Sequence, residues 1–250
     1  MLLAWGFWGY IDYVLNVITP DSFDFDKEPQ PLINLIFQSA LIVIGLILFK
    51  EKRWGLSLAG IVALTYLLKF GFSYLNLMGV GVFVLLVLNA RLNAVEELQE
   101  RTKVNPRLIL RRGLTPIIIG YFILISFAAF QSPVLESIKS TERLPSVTET
   151  FIKNVVDSTI GSRVDDPSQR EQVVGQVASE TIGSINTFLK PYFRYAPPTL
   201  AFGLFLVLWG LSFIFIWLSV FAGMLVFWIL RKTGFVRVEE KDVKAEVLVI

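Results

Sequence analysis

The chain has no cysteine and no histidine among its 250 residues. Without cysteine there is no disulfide, no thiol nucleophile and no thiolate metal site. Without histidine the usual general base and the commonest transition-metal ligand are gone, and a Ser-His-Asp triad is excluded. Also missing are a phosphate-binding glycine loop, a metal-ligand cluster and a pair of catalytic carboxylates. Ser140 beside Lys139 is a weak candidate for a Ser-Lys dyad. The sequence therefore predicts no enzyme, no cofactor and no metal. Charge is scarce too. A net charge of +2 leaves no electrostatic footprint for nucleic acid, and the 33 residues from Pro198 to Leu230 carry no charge at all.

What fills the chain instead is apolar. Hydrophobic residues make up 54% and the mean hydropathy is +0.62, values of the membrane class. The uncharged run sits between Pro197-Pro198 and Arg231-Lys232. As one helix it reaches about 50 Å, against a hydrocarbon core of about 30 Å, so it must tilt or project beyond the membrane. Five further apolar segments precede it. Residues 2–19 are rich in Trp and Tyr, with Gly6, Gly9, Asp12, Asn16 and Thr19 along one small and polar face. They read as a first span packed on other helices, the rival reading being an interfacial helix in the headgroups. Residues 32–49 form a second span. The stretch from Trp54 to Ala90 is too long for one crossing, and Gly71, Ser73 and Asn76 near its middle predict a tight hairpin of spans 54–74 and 77–90. A helical stretch follows from Arg91 to Lys103, and Asn105-Pro106 breaks it. The fifth span is 114–130, with Pro116 expected in its first turn, where a missing N–H costs little.

Residues 131–197 are the one sizeable polar region. Ser146-Val147-Thr148-Glu149 is a capping-box pattern opening a helix toward Ile160, closed by Gly161. Asp166-Pro167-Ser168-Gln169 starts another, ended or kinked at Pro191, on which Val174, Val177, Thr181, Ile185, Phe188 and Tyr192 share an apolar stripe; Val174, Val177, Ile185 and Phe188 are expected to be buried against protein or lipid, the helices packing on each other, on the bilayer surface or on a partner. After the last span, residues 231–250 alternate apolar and polar side chains at Val236, Val238, Val243, Ala245, Val247 and Val249, a strand-like tail.

Charge sets the expected topology. With the N-terminus inside, the cytoplasmic segments are 50–53, 91–113 and the tail, and they carry most of the chain's 23 Lys and Arg. Asp21 to Glu28 and the 131–197 insertion then lie outside. Six spans put both termini in the cytoplasm at the cell membrane. An interfacial first segment leaves five spans and an external N-terminus.

The run Lys190-Pro191-Tyr192-Phe193-Arg194-Tyr195-Ala196-Pro197-Pro198, the apolar stretch after it and Thr233-Gly234-Phe235-Val236-Arg237-Val238-Glu239-Glu240 resemble uncharacterised multi-pass membrane proteins of small-genome, uncultivated bacteria of the candidate-phyla type. The resemblance covers about the last third of the chain. It implies a membrane location and carries no activity.

Asp12 and Lys69 are the charges placed inside spans. A charge there costs at least about 2.5 kcal/mol and usually has a partner. Both fall about 10 Å below the outer surface, so they are a candidate ion pair, either structural or part of a transport path. Arg107, Arg111 and Arg112 are candidate contacts for anionic lipid headgroups, although setting topology explains them equally well. Ala201, Ser212, Ser219 and Gly223 share one face of the long helix, and Gly203 and Gly210 the opposite face, so it is expected to pack on both sides. The expected fold is all-α and polytopic, with about six transmembrane helices, a small external helical insertion and a short β-like cytoplasmic tail. The expected function is a non-enzymatic assembly or scaffold component of the lipid bilayer, forming a homo-oligomer or binding a membrane partner through 146–192 and 233–250. The alternative is a small-solute or ion transporter using the Asp12–Lys69 region.

Overall fold

The computed structural model describes residues 1–16, 30–48, 52–100, 105–133, 135, 146–159 and 167–236. Among them are nine α-helices and no strand: α1 (Leu2–Asn16), α2 (Gln30–Leu48), α3 (Lys52–Phe70), α4 (Tyr74–Glu100), α5 (Pro106–Phe130), α6 (Ser146–Thr159), α7 (Pro167–Leu189), α8 (Ala196–Gly210) and α9 (Ser212–Lys232). A 3-10 helix, Lys190–Tyr195, joins α7 to α8. Four helices, α2, α4, α5 and α9, are long and apolar enough to cross a membrane. The chain forms two compact units. The first holds 1–11, 28–125 and 205–250, the second 12–27 and 126–204.

In the first unit α2 and α5 are the inner helices. Small residues let their neighbours approach. A Cβ on Gly113 of α5 would lie 2.8 Å from Val43 of α2, and one on Gly120 would lie 2.7 Å from the Phe83 ring of α4. Gly223 of α9 meets Leu110 of α5 and Ala40 of α2.

The hairpin predicted from Gly71, Ser73 and Asn76 is present, and its chemistry is local. Gly71 has φ +84°, a conformation that favours glycine. Ser73 Oγ accepts the Asn76 backbone N–H at 3.2 Å and so caps α4. The buried Asn76 amide donates to the carbonyls of Phe70 and Gly71 at 2.9 and 3.0 Å, and its oxygen accepts the Tyr66 hydroxyl at 2.8 Å. One side chain thus satisfies the carbonyls at the end of α3, which an apolar surrounding would leave stranded. This is the turn end of the bundle.

The basic end differs from expectation. Span 77–90 does not stop at Ala90: α4 runs on through Arg91 to Glu100. Span 114–130 begins earlier, because Asn105 caps α5 through its Oδ1 and Pro106 takes the first helical position. Pro116 therefore lies in the helix interior, not its first turn. Its missing N–H removes a donor from the Arg112 carbonyl, and the Thr115 hydroxyl donates to Arg111 O at 2.9 Å one residue before.

The single long span of 198–230 is also corrected. Leu211 separates α8 from α9, so α9 alone has the length of a crossing. Ser219 and Gly223 of α9 are buried, whereas Gly203 and Gly210 of α8 meet nothing within 4 Å, so the second packing face expected at these two glycines is not made. Gly234 (φ +76°) ends the helix, with Val236 N–H returning to Leu230 O. The strand-like tail from residue 237 onward lies outside the described residues.

In the second unit α6 and α7 pack through Val156, Val174 and Ala178, flanked by Ile152 and Val177. The helices fall where the capping signals place them, and Gly161 lies outside the described residues. Phe188 does not join this core. It is 71% exposed. α6 has 14 residues to the 23 of α7, so it leaves the last turns of α7 uncovered.

Candidate functional site

The turn end collects the aromatic side chains. Ala4, Phe7 and Trp8, spaced to share one face of α1, are buried. The Trp8 ring lies 5.0 Å from Tyr66, 6.0 Å from Phe70 and 5.8 Å from Tyr121, and Phe83 meets Tyr121 at 5.4 Å. Edge-to-face pairs of this kind add about 0.5–1.5 kcal/mol each beyond their burial. The cluster fills the space between α3, α4 and α5.

Around it lie the polar groups. Lys69 is in the last turn of α3, where a cation suits the helix dipole. Its Nζ sits 4.4 Å from the centre of the Trp5 ring, and a Cβ on Gly9 would be 3.7 Å from it. Asp12, the expected partner of Lys69, is half-buried and belongs to the second unit. On its other side α1 faces the start of α2 across a cavity of ≈ 310 Å³. Leu2, Leu3, Gly6 and Tyr10 line it from α1, and Gln30, Pro31 and Asn34 from α2. Its lining holds hydroxyl and amide groups and no ionisable acid or base apart from the tyrosine, so it suits neutral hydrogen-bonding chemistry and not proton relay.

These contacts fix the level of α1. Gln30 to Asn34 begin α2, and Lys69 and Phe70 end α3. A helix crossing beside α2 would bring Leu2 or Leu3 near Leu48, about 27 Å away along a 19-residue helix. Instead Leu2 and Leu3 lie by Gln30 and Pro31, so the start of α1 is at the turn end.

The basic end carries an ion pair that the sequence reading missed. Glu97 of α4 is 1% exposed, and its Oε2 lies 2.8 Å from Arg112 Nη1 of α5. The available signal was its spacing. Glu97 continues the buried face of Ala90 and Ala94, where a carboxylate needs a cation. Of the three arginines considered for lipid headgroups, Arg112 is thus held by Glu97, Arg107 lies 4.7 Å over the Trp217 ring, and Arg111 is exposed. The remaining space at this end is a void of ≈ 30 Å³ with an apolar wall of Ile44, Leu98, Ile109 and Phe227 among others.

No group of His, Cys, Asp and Glu able to hold a metal ion occurs among the described residues. No family model, curated protein or solved structure matches the chain.

Proposed function

We propose that this chain is a multi-pass membrane protein without catalytic activity, a rigid helical bundle that holds an external helix pair for assembly with itself or with a membrane partner. The filled interior carries the reading. A transport path needs polar groups and space through the bundle, whereas here Trp8, Tyr66, Phe83 and Tyr121 occupy it and are all buried. Meanwhile α9 turns Phe213, Trp217, Phe221 and Trp228 outward. The test is light scattering of the purified chain in mild detergent and in lipid nanodiscs. The expected species is larger than one 28.3-kDa chain in protein mass. A strict monomer that moves ions or solutes in proteoliposomes would sink the assembly reading.

The level of α1 favours five crossings over six, made by α2, α3, α4, α5 and the α8–α9 segment. In that arrangement α1 lies in the interface at the turn end, with exposed Leu2, Trp5 and Tyr13 toward lipid. The positive-inside pattern then places the turn end and the α6–α7 pair outside, the basic end and the C-terminus in the cytoplasm, and the N-terminus outside. The absence of cysteine makes the test clean. A cysteine in a short polar extension ahead of Met1 should react with an impermeant maleimide on intact cells, and reaction only after lysis would restore the six-span arrangement.

A further inference from the structure

The uncovered end of α7 has a definite chemistry. Phe188, Tyr192 and Tyr195 are 71%, 57% and 60% exposed. Phe188 and Tyr192 are four residues apart, and their rings lie 6.0 Å from each other. Tyr192 and Tyr195 are three apart in a 3-10 helix, whose side chains at that spacing eclipse. The three rings therefore stand on one side of the chain. Immediately after them, α8 starts with an apolar and largely exposed surface at Leu200, Phe202 and Leu206. That surface is disfavoured in water, so on the membrane reading the apolar region begins near Pro198 and the α8–α9 segment crosses tilted. From Thr181 to Leu230 the sequence holds no Asp or Glu, and its charges are Lys190 and Arg194.

We propose that Phe188, Tyr192 and Tyr195 are a docking surface for the phospholipid headgroup layer, that the exposed Lys190 between them in sequence biases it toward anionic headgroups, and that they lay the end of α7 on the bilayer. Tyrosine and phenylalanine favour this depth because their rings are apolar and the phenol stays wet. A cation among them pairs with phosphate. A second protein copy fits less well. Three rings exposed to this extent offer roughly 280–470 Å² at about 150–250 Å² per ring, short of the about 800 Å² per partner in a stable interface.

The inference rests on the membrane reading of α8 and α9, and one position tests that reading by itself. Single cysteines at 188, 192 and 195 carry nitroxide labels in the full chain, reconstituted in vesicles of phosphatidylethanolamine and phosphatidylglycerol. Labels at 176 and 180, on the exposed side of α7, are the aqueous reference. A label at 221, on the outward side of α9, is the lipid reference. Oxygen should relax the labels at 188, 192 and 195 several-fold more than a water-soluble nickel chelate does, with the reverse at 176 and 180. Replacing Lys190 by Gln, or the vesicles by phosphatidylcholine, should reduce that preference. Nickel access at 188, 192 and 195 equal to that at 176 overturns the docking surface, provided 221 is in lipid. Shielding from both reagents, or spin–spin broadening that unlabelled chain relieves, means that protein covers the rings and also overturns it. Nickel access at 221 defeats the membrane reading itself.

Discussion

Helices α5 and α9 are alike in sequence character and opposite in surroundings. Both are long and apolar enough to cross a membrane. Yet α5 buries Ile117, Ile118, Tyr121, Phe122 and Leu124 against its neighbours, while α9 buries little beyond Ser219, Val220, Ala222 and Gly223. Lipid tails are as apolar as leucine, so exclusion from water does not choose between lipid and protein. Close approach does. α5 makes it at both Gly113 and Gly120, against Val43 of α2 and Phe83 of α4, whereas α9 makes it on the one face that carries Gly223, against Leu110 and Ala40.

The largest test of this contrast removes the aromatic plug. Trp8→Ala should lower the stability of the bundle by about 3–5 kcal/mol, the usual cost of emptying a large buried site. The equally large Trp228, 60% exposed on α9, should cost under about 0.5 kcal/mol when replaced by Ala in detergent. Thermal melting in detergent measures both, and equal shifts would erase the distinction between the two helices.

One substitution made in two places should change sign. Gly120→Ala puts a Cβ 2.7 Å from the buried Phe83 ring, so it should destabilise by about 1–3 kcal/mol. Gly203→Ala meets nothing and should stabilise by about 0.4–1 kcal/mol, because alanine loses less backbone freedom in a helix. Melting curves that move the same way would show that α5 is not the tightly held helix described.

The smallest expected effect lies at the basic end. Arg112→Met leaves the Glu97 carboxylate buried without this partner. The cost should be about 1–2 kcal/mol rather than the about 3–5 of a fully buried pair, because the Arg112 side chain is 47% exposed and solvent screens it. Adding Glu97→Gln should recover most of that loss in a double-mutant cycle. A double mutant as unstable as the sum of two large single effects would deny the coupling.

Much of this was legible because it is local. Gly71, Ser73 and Asn76 specify a turn by dihedral preference and hydrogen bonding within a few residues, and the turn is there. Asn105-Pro106 and the start signals of α6 and α7 acted in the same way. Where the reading failed, the deciding partner was distant in sequence. Phe188 continues the helical period of Val174 and Val177, but α6 ends too soon to cover it. Glu97 lies in the polar stretch from Arg91 to Lys103, and nothing within that stretch points to Arg112 of α5. The small face of α1 at Gly6 and Gly9 comes near Asn34 and Lys69, but the face that is buried is that of Ala4, Phe7 and Trp8, whose partners are distant in sequence.

The sequence by itself determined which segments avoid water and where the chain must turn, since transfer free energy and dihedral preference belong to single residues and their near neighbours. Only the tertiary structure decided which apolar faces meet: α5 enclosed and α9 bare, Trp8 set among Tyr66, Phe70 and Tyr121, and α1 held at the turn end. The physical reason is that all these faces are about equally apolar. What separates them is shape, the missing Cβ at Gly113 and Gly120 of α5 against the bulk of Val43 and Phe83, and shape complementarity exists only between residues that the fold has already brought together.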